Sequence, residues 1–172
     1  MAADLPPSLP GAVLFACNFN RVRSAMAEAL LKLQVGKSVF VDSCGLKHPP
    51  ETETEEDGDA LAADPFARAV LAEVGYDRSW HRAKTFDELE DSSFDLVISL
   101  TPESQHRAVE LARGRAADIE YWPTADPTLV EGSREVRLAA YRQVRDELAR
   151  HIAERFGAAI PAPIDLPPRG AL

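Results

Sequence analysis

Cys17 and Arg23 bracket the run Cys17-Asn18-Phe19-Asn20-Arg21-Val22-Arg23-Ser24, a C-x5-R-S pattern. These residue types in this order suit phosphoryl chemistry. A thiolate at Cys17 can attack phosphorus, and the planar fork of Arg23 can grip two phosphoryl oxygens as charge develops on them, which a lysine would do poorly. Ser24 can donate to the thiolate, which also makes the sulfur a better leaving group when a phosphoenzyme is hydrolysed. Out of context, the spacing fits a buried structural cysteine beside a surface arginine equally well.

The surrounding elements favour the chemical reading. Ala12 to Ala16 is a short β-like apolar run, and Met26, Ala29, Leu30 and Leu33 then recur at helical spacing up to Gly36, expected just past the helix end. The cysteine therefore sits in a strand-to-helix turn. A helix N-terminus offers unpaired N–H groups and partial positive charge, so Asn18, Phe19, Asn20, Arg21, Val22 and Ser24 are expected to wrap an oxyanion there. The same field stabilises a thiolate. Arg21 either adds positive potential at the loop mouth or is simply solvated.

The rest of the chain alternates strands and amphipathic helices, predicting an α/β fold with a parallel sheet covered on both faces. A second strand is expected over 38–43, and Asp64-Pro65 reads as a cap and first residue of a helix with Phe66, Val70, Leu71 and Val74 on one face. A short helix follows around 86–89, then a buried strand over 94–100, a helix from Thr101-Pro102 to Gly114, and a last strand over 119–122. The final helix spans about 134–156, with Val136, Ala140, Val144, Leu148 and Ile152 every fourth residue. The expected organisation is an N-terminal extension over 1–10, one α/β domain over 11–157 and a proline-rich tail over 158–172.

With 172 residues, 45% hydrophobic and 27% charged, the chain is sized for one domain with its own core. A formal net charge of −9 disfavours nucleic acid and anionic membrane as partners, so an anionic ligand must be captured locally. Much of that charge lies in Glu51, Glu53, Glu55, Glu56, Asp57 and Asp59, within a segment 47–60 read as a solvated loop. Two cysteines without paired spacing suggest neither a disulfide framework nor a zinc site, and favour a reducing cytoplasm. Leu14-Phe15-Ala16-Cys17 superficially resembles a lipoprotein cleavage site, but its apolar run is too short and nothing basic precedes it. His48, His81, His106 and His151 are scattered, so structural or surface roles are expected and no metal site.

The string Val13-Leu14-Phe15-Ala16-Cys17 through Arg23-Ser24-Ala25-Met26-Ala27-Glu28-Ala29-Leu30 resembles the low-molecular-weight protein tyrosine phosphatase family, arsenate-reductase relatives included. The resemblance extends through Val41-Asp42-Ser43-Cys44-Gly45, Asp64-Pro65, His81-Arg82-Ala83 and Asp126-Pro127, covering about residues 11–156. It implies a three-layer fold of the phosphotyrosine protein phosphatase I type, with a four-stranded parallel sheet flanked by helices. It further implies Cys17 as nucleophile, Arg23 as phosphate clamp, Asn20 in a left-handed conformation holding the loop, and Asp126 as general acid. Neither cofactor nor metal is called for. The substrate is expected to be a phosphorylated protein or a small aryl phosphate; oligomeric state is left open.

Phe19 stands where glycine is common in the family, Val22 replaces a second loop cysteine, and Thr128-Leu129 replaces aromatic residues after Asp-Pro. An open substrate pocket is expected, with Phe19 and Trp122 as the candidate substitute walls, although a strand-end aromatic such as Trp122 more often belongs to the core. Two alternatives to a phosphatase are arsenate reductase, which needs further thiols where the chain has none after Cys44, and a non-catalytic oxyanion-binding regulator. A Cys17–Cys44 disulfide under oxidation is weighed against a buried small-residue role for Cys44, the commoner case, since both lie near adjacent strand ends.

Overall fold

The computed structural model describes residues 9–49, 62–76, 81–90 and 93–157. The N-terminal extension up to residue 8, most of the acidic segment and the proline-rich tail lie outside the described residues. Four strands form a parallel sheet: β1 (Ala12–Cys17), β2 (Phe40–Gly45), β3 (Leu96–Ser99) and β4 (Asp118–Tyr121), in the order β2-β1-β3-β4. The helices between and after them are α1 (Arg23–Val35), α2 (Pro65–Ala72), α3 (Pro102–Ala112) and α4 (Arg134–Phe156). The α/β architecture expected from the alternating pattern is therefore present.

Strand alternation builds three layers. Val13, Phe15 and Cys17 of β1 face one core with Met26, Leu30, Val70, Leu148 and Ile152, from α1, α2 and α4. Leu14 and Ala16 face the other with Cys44, Phe86, Val97 and Ala108, under α3. The chain leaves β1 toward β2 on one side and later resumes at β3 on the other, so the carboxyl end of β1 lies where strand order reverses. Open α/β sheets leave a crevice at that point, and it is where Cys17 ends β1.

Several sequence expectations shift: β3 is shorter than the run 94–100, α3 ends at Ala112 ahead of Gly114, and β4 starts and ends one residue before 119–122. The second strand begins and ends two residues later than expected, because pairing with β1 sets its register from Ala12↔Phe40 to Cys17↔Gly45. Leu33, assigned to the buried face of α1, is 39% exposed, and Val136, assigned to that of α4, is 50% exposed. In α4, steps of four residues overshoot a 3.6-residue turn and walk around the helix. The buried stripe of α4 instead mixes steps of three and four through Leu138, Tyr141, Arg145, Leu148 and Ile152.

Buried Arg145 ties α4 to the end of α2 by donating from Nη1 to the Val70 carbonyl and to Glu73, each at 2.8 Å. Arg142 meets the same carboxylate with two nitrogens, Nε at 2.9 Å and Nη2 at 3.0 Å. Hydrogen bonds from Arg142 hold the Glu73 carboxyl below the usual glutamate range despite its partial burial. Among the described residues, no helix is long and apolar enough to cross a membrane.

Candidate active site

The start of α1 differs from the other helix starts. Asp64, Thr101 and Ser133 each accept a backbone N–H at the head of α2, α3 and α4. At α1 the cap position is Val22, which offers no side-chain acceptor. A helix start without a side-chain cap is suited to binding an anion through its backbone N–H groups.

The loop leading into α1 is held from behind by a dense network. Asn20 is fully buried and takes a φ of 58°, the left-handed region that L-residues rarely adopt. Its side-chain nitrogen donates to the hydroxyls of Ser24 and Ser43, both at 2.8 Å, and its side-chain oxygen accepts from Lys84 N at 3.1 Å. His81 Nε2 contacts the Asn20 carbonyl at 2.8 Å. Ser43 donates onward to buried Glu28 at 2.7 Å, which also pairs with Lys32 at 2.8 Å. Backbone strain of the order of 1–3 kcal/mol at a left-handed residue persists only when its surroundings over-determine it, and these bonds do so.

Two further residues shape the loop. A Cβ at Gly45 would stand 2.8 Å from the Asn18 carbonyl oxygen and 2.8 Å from the Phe19 carbonyl carbon, so only glycine admits the loop backbone there. Thr101 donates its hydroxyl to Asn18 Oδ1 at 2.8 Å, linking the loop to the head of α3. The sequence marks Gly45 as a strand end and Thr101 as a helix start; strand register and helix placement bring them to the loop.

Cys17 Sγ lies 2.9 Å from Ser24 Oγ, and the cysteine is 3% exposed. Arg23 donates from Nη1 to the Thr124 carbonyl at 3.1 Å, and its Nη2 lies 3.8 Å from Asp126 Oδ2. Asp126 heads a short 3-10 turn, Pro127–Leu129, and accepts on Oδ1 from Thr128 N at 3.0 Å and from Thr128 Oγ1 at 2.6 Å. Folding thus brings Cys17, Arg23 and Asp126 to one cavity of about 430 Å³, although more than a hundred residues of chain separate the first two from the third.

Other sequence-derived candidates divide. Phe19 and Val22 line the cavity, as does Arg21, whose side chain is nonetheless buried and donates from Nε to the Ala62 carbonyl at 2.9 Å, so it is not solvated. The side chains of Asn18, Asn20 and Ser24 turn into the supporting network. Trp122 is not a cavity wall: it is a core residue, packed on Phe15 with ring centroids 6.0 Å apart. Leu129 and Tyr141 line the cavity in its place, with Leu129 77% exposed at the rim. Tyr141 donates its hydroxyl to Asp64 Oδ2 at 3.1 Å, and burial, aided by that carboxylate, pushes its phenol well above the ordinary value.

A Cys17–Cys44 disulfide does not suit this geometry. Cys44 pairs with Ala16, one residue before Cys17, so its side chain joins the opposite core layer. Both thiols are free, and burial pushes that of Cys44 up.

The model of the family described as low molecular weight phosphotyrosine protein phosphatase matches residues 12–160. A low molecular weight protein-tyrosine-phosphatase of Streptomyces coelicolor is 32% identical over 129 residues, covering 72% of this chain and 74% of that protein. An arsenate reductase of Halalkalibacterium halodurans is 29% identical over 142 residues, covering 81% of this chain and 91% of that protein. Among solved structures, the low molecular weight protein tyrosine phosphatase from T. tengcongensis superimposes with a TM-score of 0.67 at 26% identity, over 85% of this chain and 97% of that one.

Proposed function

The chain belongs to the low molecular weight phosphotyrosine protein phosphatase family, and from that membership we propose that it hydrolyses phosphate monoesters, with protein phosphotyrosine as the substrate class, through a phosphocysteine at Cys17. The observation that carries this reading is the convergence of Cys17, Arg23 and Asp126 on one cavity at the uncapped start of α1.

In the first step the Cys17 thiolate attacks phosphorus; the S–P bond forms as the P–O bond to the leaving group breaks. Ser24 then acts as donor in the 2.9 Å contact, because a thiolate has no proton to give. Loop N–H groups and the guanidinium of Arg23 stabilise the charge spread over the equatorial oxygens. Asp126 gives its proton to the departing oxygen. In the second step a water attacks the phosphocysteine, its proton passes to Asp126, and the S–P bond breaks to return the thiolate and release phosphate. The aromatic ring of the substrate rests against Phe19 and Leu129 at the rim. Thiolate chemistry of this kind suits a reducing compartment, the cytoplasm.

Hydrolysis of para-nitrophenyl phosphate tests the proposal. Wild type is expected to turn over, while Cys17→Ser is expected to lose turnover and still bind vanadate, because the cradle is backbone and Arg23. Equal rates in the two proteins would overturn the assignment.

Arsenate reductase is the second reading, favoured by the name of the Halalkalibacterium relative. Arsenate fits the same cradle, but its reduction needs two electrons from thiols beyond Cys17. Cys44 faces away, so the reductant would be an external thiol. Arsenite release at background level with glutathione or thioredoxin supplied would dismiss it.

A further inference from the structure

The carboxyl of Asp126 is held asymmetrically. Pro127 has no N–H, so the first donor the chain offers that carboxyl is Thr128 N, 3.0 Å from Oδ1. The Thr128 hydroxyl adds a second donor on the same oxygen at 2.6 Å, the shorter of the two bonds. Oδ2 receives neither and lies on the side of Arg23, 3.8 Å from its Nη2. A carboxylic acid carries its proton on one oxygen, and an oxygen already accepting two hydrogen bonds is the poorer place for it.

We propose that Thr128 is a positioning residue for the general acid: its hydroxyl and N–H saturate Oδ1 of Asp126, so the transferable proton is carried on Oδ2, toward the phosphoryl group. The role rests on the phosphatase reading above. In the first step Oδ2 releases the proton to the leaving oxygen, and in the second it takes one from the attacking water; Oδ1 stays bound to Thr128 throughout. The hydroxyl is the sequence-specific part, since any residue here except proline supplies the N–H.

The test compares Thr128→Val, which keeps size and backbone and loses the donor, with Thr128→Ser, which keeps the donor. Single-turnover rates are measured for aryl phosphates from phenyl phosphate, a poor leaving group, to 2,4-dinitrophenyl phosphate, a good one. The ratio of the two rates within one protein does not depend on how much of the sample is folded. Thr128→Val is expected to slow phenyl phosphate roughly tenfold and the dinitrophenyl ester less than about twofold, with Thr128→Ser near wild type. In an Asp126→Asn background, Thr128→Val should add nothing, because its effect passes through the proton that Asn lacks. A uniform fall across esters, an undiminished effect in the Asp126→Asn background, or no effect at all would overturn the role of Thr128. A wild type inert toward every ester would instead overturn the phosphatase reading beneath it.

Discussion

The two halves of the site are built in opposite ways. The phosphate loop is contiguous in sequence, buried, and braced from behind by Ser24, Ser43, His81, Lys84 and the bare backbone of Gly45. The loop that bears Asp126, the proposed acid, is remote in sequence and partly exposed, with Asp126 fixed by the Thr128 cap and the long contact to Arg23. Leu129 beside it projects into solvent. Under the proposed mechanism, the contrast follows from the work each half would do. Preorganised N–H groups stabilise an oxyanion only at the distance for which they are set, so the cradle tolerates little displacement. A proton donor serves the leaving group in one step and water in the next, within hydrogen-bond reach of either.

The largest break in that division of labour is Asp126→Asn, which leaves the cradle whole and removes the proton. Rates with poor leaving groups should fall by about 10²–10⁴, and rates with activated aryl phosphates far less. Leaving-group series of kcat measure it directly; a flat loss would mean that Asp126 only positions the loop.

Gly45→Ala attacks the other half. Its methyl meets loop backbone, which cannot turn aside as a side chain would. Overpacking of this kind costs about 1–3 kcal/mol. Vanadate affinity and the thermal midpoint should fall together, whereas Asp126→Asn should leave vanadate affinity nearly intact.

Phe19→Ala sharpens the comparison at the rim, where cradle and acid loop face each other across the substrate. Removing one aromatic wall should raise KM for a phosphotyrosyl peptide roughly two- to tenfold with kcat little changed. An unchanged KM would assign the wall to Leu129 and Tyr141.

The smallest effect lies away from both halves, in the α2–α4 brace. Glu73 sits below its ordinary value in the folded chain because Arg142 and Arg145 bind its charged form. Its contribution is therefore complete above the unfolded glutamate value, about 4.3, and is lost as pH falls through the lower folded value. Thermal melts of wild type and Glu73→Gln should differ by about 0.5–1 kcal/mol at neutral pH, allowing for partial exposure, and converge in acid. A gap that persists below pH ~3 would locate the effect in packing.

Sequence reading reached the cradle more fully than the rim. Cys17, Arg23 and Ser24 lie in one turn between a strand and a helix, so their neighbourhood in space follows from local geometry. Pro65, Pro102, Gly36 and Gly157 marked helix ends correctly for the same reason, each acting through its own backbone. Trp122 stayed open between core and wall because a strand-end aromatic can turn either way; the structure takes the commoner outcome, the core. Gly45 and Thr101 are legible only as a strand end and a helix start, because their contacts to the loop come from other strands and helices.

The order of strands and helices, the uncapped turn after β1 and the thiol within it were determined by the sequence alone, through preferences that act over a few residues. The meeting of Asp126 with Arg23, the turn of Cys44 away from Cys17, and the replacement of Trp122 by Leu129 and Tyr141 in the wall were decided only by the tertiary structure. Those outcomes depend on strand register, on which face each residue takes in the sheet, and on how α4 rolls against α1 and α2. Such long-range packing is set by the whole core at once.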